Sequence, residues 1–204
     1  MAQLETLFAT RLYRAKLGGR DGVALNHDLR TACLSIARDD KAGLAWAKAN
    51  AYAGYTSYAS LNDLSARAPA FAELERRLDA HVTAFARAQH FDLARRKLKL
   101  DSMWINILKP GGVHTGHIHP HSVISGTYYV KTPKGSSALK LEDPRLGLMM
   151  AAPAKKPATP RDAKPFVYIT PAQGSLILFE SWLRHEVPPN RSRGDRISIS
   201  FNYA

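Results

Sequence analysis

The sequence predicts an α+β protein that is mainly β, with helices concentrated toward its N-terminus. Three observations carry that prediction. Apolar residues alternate with polar ones, with a period of two, in six segments after position 97. Turns bearing Pro and Gly separate those segments. The clearest helical periodicity falls before them, and helices in one half with strands in the other suit a curled antiparallel sandwich with helical backing.

Residues 5–17 mix apolar and polar side chains and read as an opening strand, ended by Gly18-Gly19. A helix is predicted over Leu25–Ala37, with Asn26 as its N-cap and Leu29, Cys33 and Ile36 on one face. The Ala-, Tyr- and Gly-rich stretch Lys41–Ser60 reads as irregular, and its segment Tyr52–Tyr58 as a surface turn or a pocket wall. Pro69 suits a first helical position. After it Phe71, Leu74, Leu78, Val82 and Phe85 recur at offsets 0, 3, 7, 11 and 14, a single apolar stripe for covering a sheet. His81 and His90 belong to that helix and read as surface or boundary residues. The predicted strands are Lys97–Leu108, Ser125–Lys131, Ser137–Glu142, Phe166–Thr170, Ser175–Glu180 and Arg196–Tyr203.

Composition narrows the class further. At 204 residues, 45% hydrophobic and 23% charged, the chain can bury one substantial core. No run reaches the roughly 18 apolar residues of a membrane span, and the start, interrupted by Glu5, does not read as a secretory signal. Cys33 is the single cysteine, which rules out an internal disulfide and a zinc–thiolate centre and suits a reducing, cytoplasmic setting. A net charge of +12 would favour an acidic partner, yet no nucleic-acid motif accompanies it.

Histidine placement points to chemistry. Four of the eight histidines fall within His114-Thr115-Gly116-His117-Ile118-His119-Pro120-His121, and His185 follows near the C-terminus. Neutral imidazole is the commonest transition-metal ligand. Two imidazoles at i and i+2 of an extended segment lie on one side, roughly 6–7 Å apart along the chain, and can grip one ion. Pro120 favours a strand exit, so the pair is read as His117 and His119, with His114 and His121 outside the ligand set. His185 is the third expected ligand.

The last strand sets Arg196, Ser198, Ser200 and Asn202 on one face and Ile197, Ile199 and Phe201 on the other. Its polar row faces either solvent or a barrel interior, where a planar guanidinium suits a carboxylate. A hairpin from Gly174–His185 to Arg196 would place histidine and arginine to hold opposite ends of a small dianion.

Several motifs together resemble the Fe(II)/2-oxoglutarate-dependent oxygenase superfamily, in particular a bacterial and phage group within it. They are Trp104-Ile105-Asn106-Ile107, Gly111-Gly112 with His117-Ile118-His119-Pro120, Ser125-Gly126-Thr127-Tyr128-Tyr129-Val130, Gly174–Phe179, His185 and Arg196–Asn202. The resemblance implies a double-stranded β-helix, or jelly roll, with iron on the first and last histidines. It further implies that Arg196, aided by Ser198, holds the distal carboxylate of 2-oxoglutarate, with Tyr128 or Asn106 as further donors. In the superfamily an Asp or Glu stands two residues after the first histidine. Here that place is His119, so either three imidazoles hold the iron or Glu142, Asp143, Glu180 or Glu186 reaches in.

Residues 1–204 then read as a single oxygenase-like domain, with helical backing and a first strand in 1–96 and the β core with its metal site in 97–204. The expected activity is hydroxylation by an iron- and 2-oxoglutarate-dependent dioxygenase, with His117, His119 and His185 as catalytic metal ligands. The expected substrate is a small molecule or peptide, which the basic charge would let be anionic; neither a membrane nor nucleic acid is an expected partner, and a homodimer is one assembly open to the chain. Two rivals are a three-histidine, cupin-type iron dioxygenase without 2-oxoglutarate, and a non-catalytic basic sandwich that binds an anionic partner. The segment Lys131–Pro165, with six prolines and eight basic residues against three acidic ones, is expected to form a lid over the site.

Overall fold

A computed structural model describes residues 1–145 and 150–204. Among these residues ten strands form two antiparallel sheets. The larger has the order β1 (Tyr13–Lys16), β8 (Ser175–Glu180), β5 (Ile124–Lys131), β10 (Arg196–Tyr203), β3 (Leu100–Leu108) and β2 (Gly54–Thr56). The smaller runs β4 (His114–His117), β9 (His185–Val187), β6 (Leu139–Glu142) and β7 (Phe166–Ile169). Helices α1 (Gly19–Asp39), α2 (Lys41–Ala49) and α3 (Pro69–Ala88) precede all but two strands. The architecture is a jelly roll backed by helices, as the sequence predicts.

Alternation along each strand divides the interior into two cores. Met103, Ile105 and Ile107 of β3, Tyr128 and Val130 of β5, Leu176 and Leu178 of β8, and Ile197, Ile199 and Phe201 of β10 face α1 and α3. The predicted stripe Phe71, Leu74, Leu78, Val82 and Phe85 covers them, each residue at most 2% exposed. Burying a side chain of this size contributes about 1.5–3 kcal/mol. The opposite faces meet the small sheet through Leu108, Tyr129, Ile177 and Phe179 against Leu139, Leu141, Ile169 and Val187. The sheet with two buried faces is thus sandwiched between helices and the smaller sheet.

Several boundaries differ from those expected. The first strand covers only Tyr13–Lys16, the stretch that pairs with β8; residues 5–12 have no ladder partner. Helix α1 begins six residues before the expected start, so Asn26 lies inside it and spends its side-chain amide on the Val130 carbonyl at 3.1 Å. Lys41–Ser60 is not irregular: Asp40 caps α2 by accepting a hydrogen bond from the Gly43 amide at 3.0 Å, and β2 adds to the β3 edge. That edge addition requires glycine. Gly54 has φ +149°, and a Cβ there would lie 1.9 Å from the Ile107 carbonyl oxygen. His90 lies exposed beyond α3, while His81 of α3 shares a 2.8 Å hydrogen bond with the Tyr13 hydroxyl. No helix among the described residues is long and apolar enough to cross a membrane.

Candidate metal centre

The floor of the space between the sheets is written in the register of three strands. Tyr129, Ser198 and Asn106 lie abreast on β5, β10 and β3; next come Thr127, Ser200 and Trp104; then Ser125, Asn202 and Ser102. The polar row of β10 therefore lines the interior. Arg196, Ser198 and Asn202 are 2%, 2% and 7% exposed, which settles the choice between solvent and interior. Two side-chain bonds knit the floor. Thr56 Oγ1 donates to Asn106 Oδ1 at 2.9 Å, and Asn106 Nδ2 donates to Ser200 Oγ at 3.1 Å.

The roof supplies histidines. His117 at the end of β4 pairs directly with His185 of β9, and His119 follows just beyond, its amide bonded to the Ser181 carbonyl at 3.0 Å. His185 occupies a short strand because β4, absent from the strands predicted from the sequence, offers it a partner. One ring nitrogen from each of His117, His119 and His185 lies within 4.8 Å of the other two. The ring centroids are 4.4 Å apart for His117 and His185, 5.1 Å for His117 and His119, and 5.0 Å for His119 and His185.

Tautomers follow from the hydrogen bonds. His117 Nδ1 meets the Thr115 carbonyl at 2.6 Å and His185 Nδ1 the Leu183 carbonyl at 2.8 Å. A carbonyl can only accept, so both Nδ1 atoms carry the proton. His119 Nδ1 faces Asn202 Oδ1 and Ser125 Oγ, the latter at 2.9 Å. In the neutral form of each ring the lone pair is therefore left on Nε2. Oxygen acceptors on the distal nitrogen are the usual support for metal-binding histidines. Charge agrees with this. Burial pushes the pKa of His185 down to about 3, assisted by the neighbouring imidazoles, and burial also lowers that of His119. Both rings are neutral at pH 7, the state a metal requires.

The four carboxylates considered as substitutes are engaged elsewhere. Glu142 pairs with Arg184 at 3.0 Å, Asp143 with Arg145 at 2.7 Å and Glu186 with Lys140 at 2.8 Å; Glu180 accepts from Trp182 at 3.0 Å and from Gln89. Each is half-buried, and none belongs to the cluster of three imidazoles.

Arg196 lies in the same cavity, of about 60 Å³, with His114, His117, His119, His185 and Ser198. Its Nη1 donates to Ser198 Oγ at 3.1 Å, and its guanidinium carbon sits 5.0 Å from the Tyr129 ring centroid. Among the described residues it has no carboxylate partner, and its Nε is buried without an acceptor. A buried cation with an unsatisfied donor is costly unless an anion completes it. The fit to a metal and a carboxylate ligand is therefore good on both counts: three imidazoles converge, and an orphaned guanidinium faces the same space.

Of the other expected site residues, Asn106 does line this cavity. Tyr128 does not. It is paired with Ile199 on the helix-facing side of β5, and its hydroxyl donates to Asn26 Oδ1 at 3.0 Å. Its neighbour Tyr129 has the opposite parity and lies under Arg196. Two adjacent tyrosines must face opposite sides, but only the pairing of Tyr129 with Ser198 says which one faces in. Of the flanking histidines, His121 is exposed, whereas His114 lines the cavity and bonds its Nε2 to the Tyr52 hydroxyl. Asn202 was legible as a member of the polar row, but its bond to His119 was not.

The predicted lid lies elsewhere. Residues 146–149 are outside the described residues; of the rest of 131–165, Leu139 alone lines the inner cavity and none lines the outer cleft. The segment contains β6, and the part that follows it leads to β7 at the small-sheet edge farthest from β4, where Arg145, Arg161 and Lys164 flank a groove with Thr6, Leu7 and Leu12. The cavity opens instead into a cleft of about 690 Å³, walled by Trp46, Tyr52, Tyr58 and Trp104. The pocket-wall reading of Tyr52–Tyr58 therefore holds.

Residues 102–202 match a protein-family model described as "Putative 2OG-Fe(II) oxygenase". The fold is similar to that of a Pseudomonas putida prolyl-4-hydroxylase, with 15% identity and a TM-score of 0.62 over 95% of this chain and 92% of that one. It is also similar to HygX from Streptomyces hygroscopicus, solved with nickel and 2-oxoglutarate bound, with 15% identity and a TM-score of 0.58 over 96% and 82%. A 2OG-Fe(II) oxygenase-family oxidoreductase from Burkholderia pseudomallei aligns over 66% of this chain and 57% of its own length, at 16% identity and a TM-score of 0.49. No curated protein matches the chain by sequence.

Proposed function

We propose that the chain, whose residues 102–202 match the 2OG-Fe(II) oxygenase family model, is a hydroxylase whose iron is held by His117, His119 and His185 and whose cosubstrate is anchored by Arg196. Bound iron with 2-oxoglutarate supplies oxygen activation, coupled to oxidative decarboxylation of the 2-oxo acid. The chain's own residues do the rest. Three Nε2 lone pairs, fixed by carbonyl and amide acceptors on the far side of each ring, present a preorganised face to one ion. Arg196 and the Ser198 hydroxyl offer charge and hydrogen bonds to the distal carboxylate, and Asn106 lies close by as a further donor. The surrounding apolar residues Leu139, Phe179 and Val187 keep water from competing for these groups. Residues 1–204 act as one unit, since β1 and β2 complete the sheet that carries the floor.

The observation that carries this reading is a buried guanidinium, with no acidic partner among the described residues, sharing one cavity with three converging imidazoles. A cupin-type three-histidine dioxygenase would have no use for that guanidinium, and a structural metal site would not keep an open cleft beside it. Calorimetric titration of 2-oxoglutarate into the anaerobic Fe(II)-loaded protein, followed by succinate measurement on admission of oxygen, tests the proposal. Binding that requires both iron and Arg196 is expected. Equal heats from loaded protein, metal-free protein and Arg196→Met would overturn it.

A further inference from the structure

The outer cleft differs in chemistry from the rest of the surface. The chain carries a net charge of +12, yet the cleft lining, among the described residues, contains no Asp, Glu, Lys or Arg. It is built instead from two files of aromatic rings, each ending at a histidine of the inner cavity. Trp46 packs against Tyr52 with centroids 6.0 Å apart, and Tyr52 against His114 at 5.6 Å. Tyr58 meets Trp104 edge-on at 5.1 Å, and Trp104 lies 5.7 Å from His119. The outermost ring of each file stays open to solvent, Trp46 at 38% and Tyr58 at 58%, and Val113 and Ile118 add apolar surface at 40% and 46%.

Such a cleft discriminates by what it lacks. A carboxylate or ammonium group drawn out of water here would find no counter-charge in the lining, since Arg184, which approaches Gly116, is paired with Glu142, and Arg196 of the inner cavity is assigned to the cosubstrate. A flat apolar ring system gains from each aromatic wall, and a cleft of about 690 Å³ is in the range that holds a drug-sized ligand. We propose that this cleft takes an uncharged, aromatic small molecule as the substrate, contrary to the anionic preference that the overall charge suggests. The inference rests on the oxygenase reading of the adjoining metal centre, and it assigns Trp46 and Tyr58 as specificity-determining residues.

Three probes of matched shape test it: 2-naphthalenemethanol, 2-naphthoate and 2-naphthylmethylammonium, each titrated calorimetrically. The titrations are run on anaerobic protein loaded with Fe(II) and 2-oxoglutarate and on metal-free protein. The alcohol is expected to bind at least about tenfold more tightly than either ion, a margin of about 1.4 kcal/mol. Trp46→Ala and Tyr58→Ala should each weaken it several-fold, with Trp46→Phe restoring most of the affinity; both side chains are exposed enough that truncation leaves the core intact. Trp182→Ala, an exposed indole outside the cleft, should change nothing. Equal binding of the naphthoate, no binding of the alcohol, or unaltered affinity in both alanine variants would overturn the proposal. Failure of the oxygenase reading is separable: 2-oxoglutarate would then not bind, while the metal-free titrations would still report on the cleft.

Discussion

His117 and His185 face one another across the β4–β9 pair, register partners whose ring centroids are 4.4 Å apart. Each ring turns Nδ1 outward to a backbone carbonyl, which leaves its other nitrogen, Nε2, free to face one shared point. His117→Ala or His185→Ala should therefore abolish stoichiometric Fe(II) binding, read as metal content after anaerobic reconstitution and desalting. Retention of a full equivalent of iron in both variants would remove these rings from the ligand set.

The third imidazole is tied to the opposite sheet. His119 Nδ1 bonds Asn202 Oδ1, and Asn202 is held in turn by Ser125 Oγ at 2.8 Å and by a 3.2 Å bond to Ser102 Oγ. Asn202→Leu should weaken iron binding by about 10–100-fold, the usual effect of losing a partner behind a metal ligand. The far-ultraviolet circular dichroism should be unchanged. An affinity equal to that of the parent would mean that the roof orients His119 without the floor.

Arg196 is 2% exposed, and its Nε has no acceptor. Its burial therefore costs stability that only an anionic ligand returns. Arg196→Met should weaken 2-oxoglutarate binding by about 2–5 kcal/mol, as when one member of a buried charge pair is removed. The same change should leave the ligand-free protein as stable as before, or more stable by about 1 kcal/mol. Denaturant unfolding without ligand checks this, and a clear loss of stability would make Arg196 structural.

Two histidines impose a pH dependence on the metal-free fold. Burial lowers the pKa of both His114 and His185 to about 3, with Arg196 adding to the effect at His114. In the unfolded chain each returns to an ordinary value of about 6.5. Between those values the unfolded chain binds protons that the folded protein refuses. Stability is thus fully present above about pH 6.5 and declines as the pH falls toward 3. The thermal midpoint should drop steadily from pH 7 to pH 4, with a shallower drop in His114→Gln. Identical slopes for parent and variant would relieve His114 of that role.

Lys155 and Lys156 are exposed and lie outside the residues lining either cavity or cleft. Replacing both with Ala should leave 2-oxoglutarate affinity and the KM for substrate unchanged. A rise in KM alone would reinstate the β6–β7 segment as a gate.

Local sequence was enough for every feature that repeats along the chain. The α3 stripe from Phe71 to Phe85, the alternation of β10 and the spacing of His117 and His119 were readable because helix and strand periods act on neighbouring residues. What alternation could not supply was the choice between two faces. It separated Arg196, Ser198 and Asn202 from Ile197 and Ile199, and left open whether that polar row met water. It made Tyr128 and Tyr129 opposites, and left open which of them met the arginine. Those answers depend on pairing across strands distant in sequence, and a shift of one residue would have reversed them. Short strands such as β4 and β9 carry too few residues to show a period, and they exist because each completes the other's hydrogen bonds. The position of the β6–β7 segment was decided in the same way, by its place at the far edge of the small sheet. The sequence by itself thus determined the candidate groups, three imidazoles and one guanidinium. Tertiary structure decided their convergence, since only the stacking of two sheets brings β4, β9 and β10 around one space.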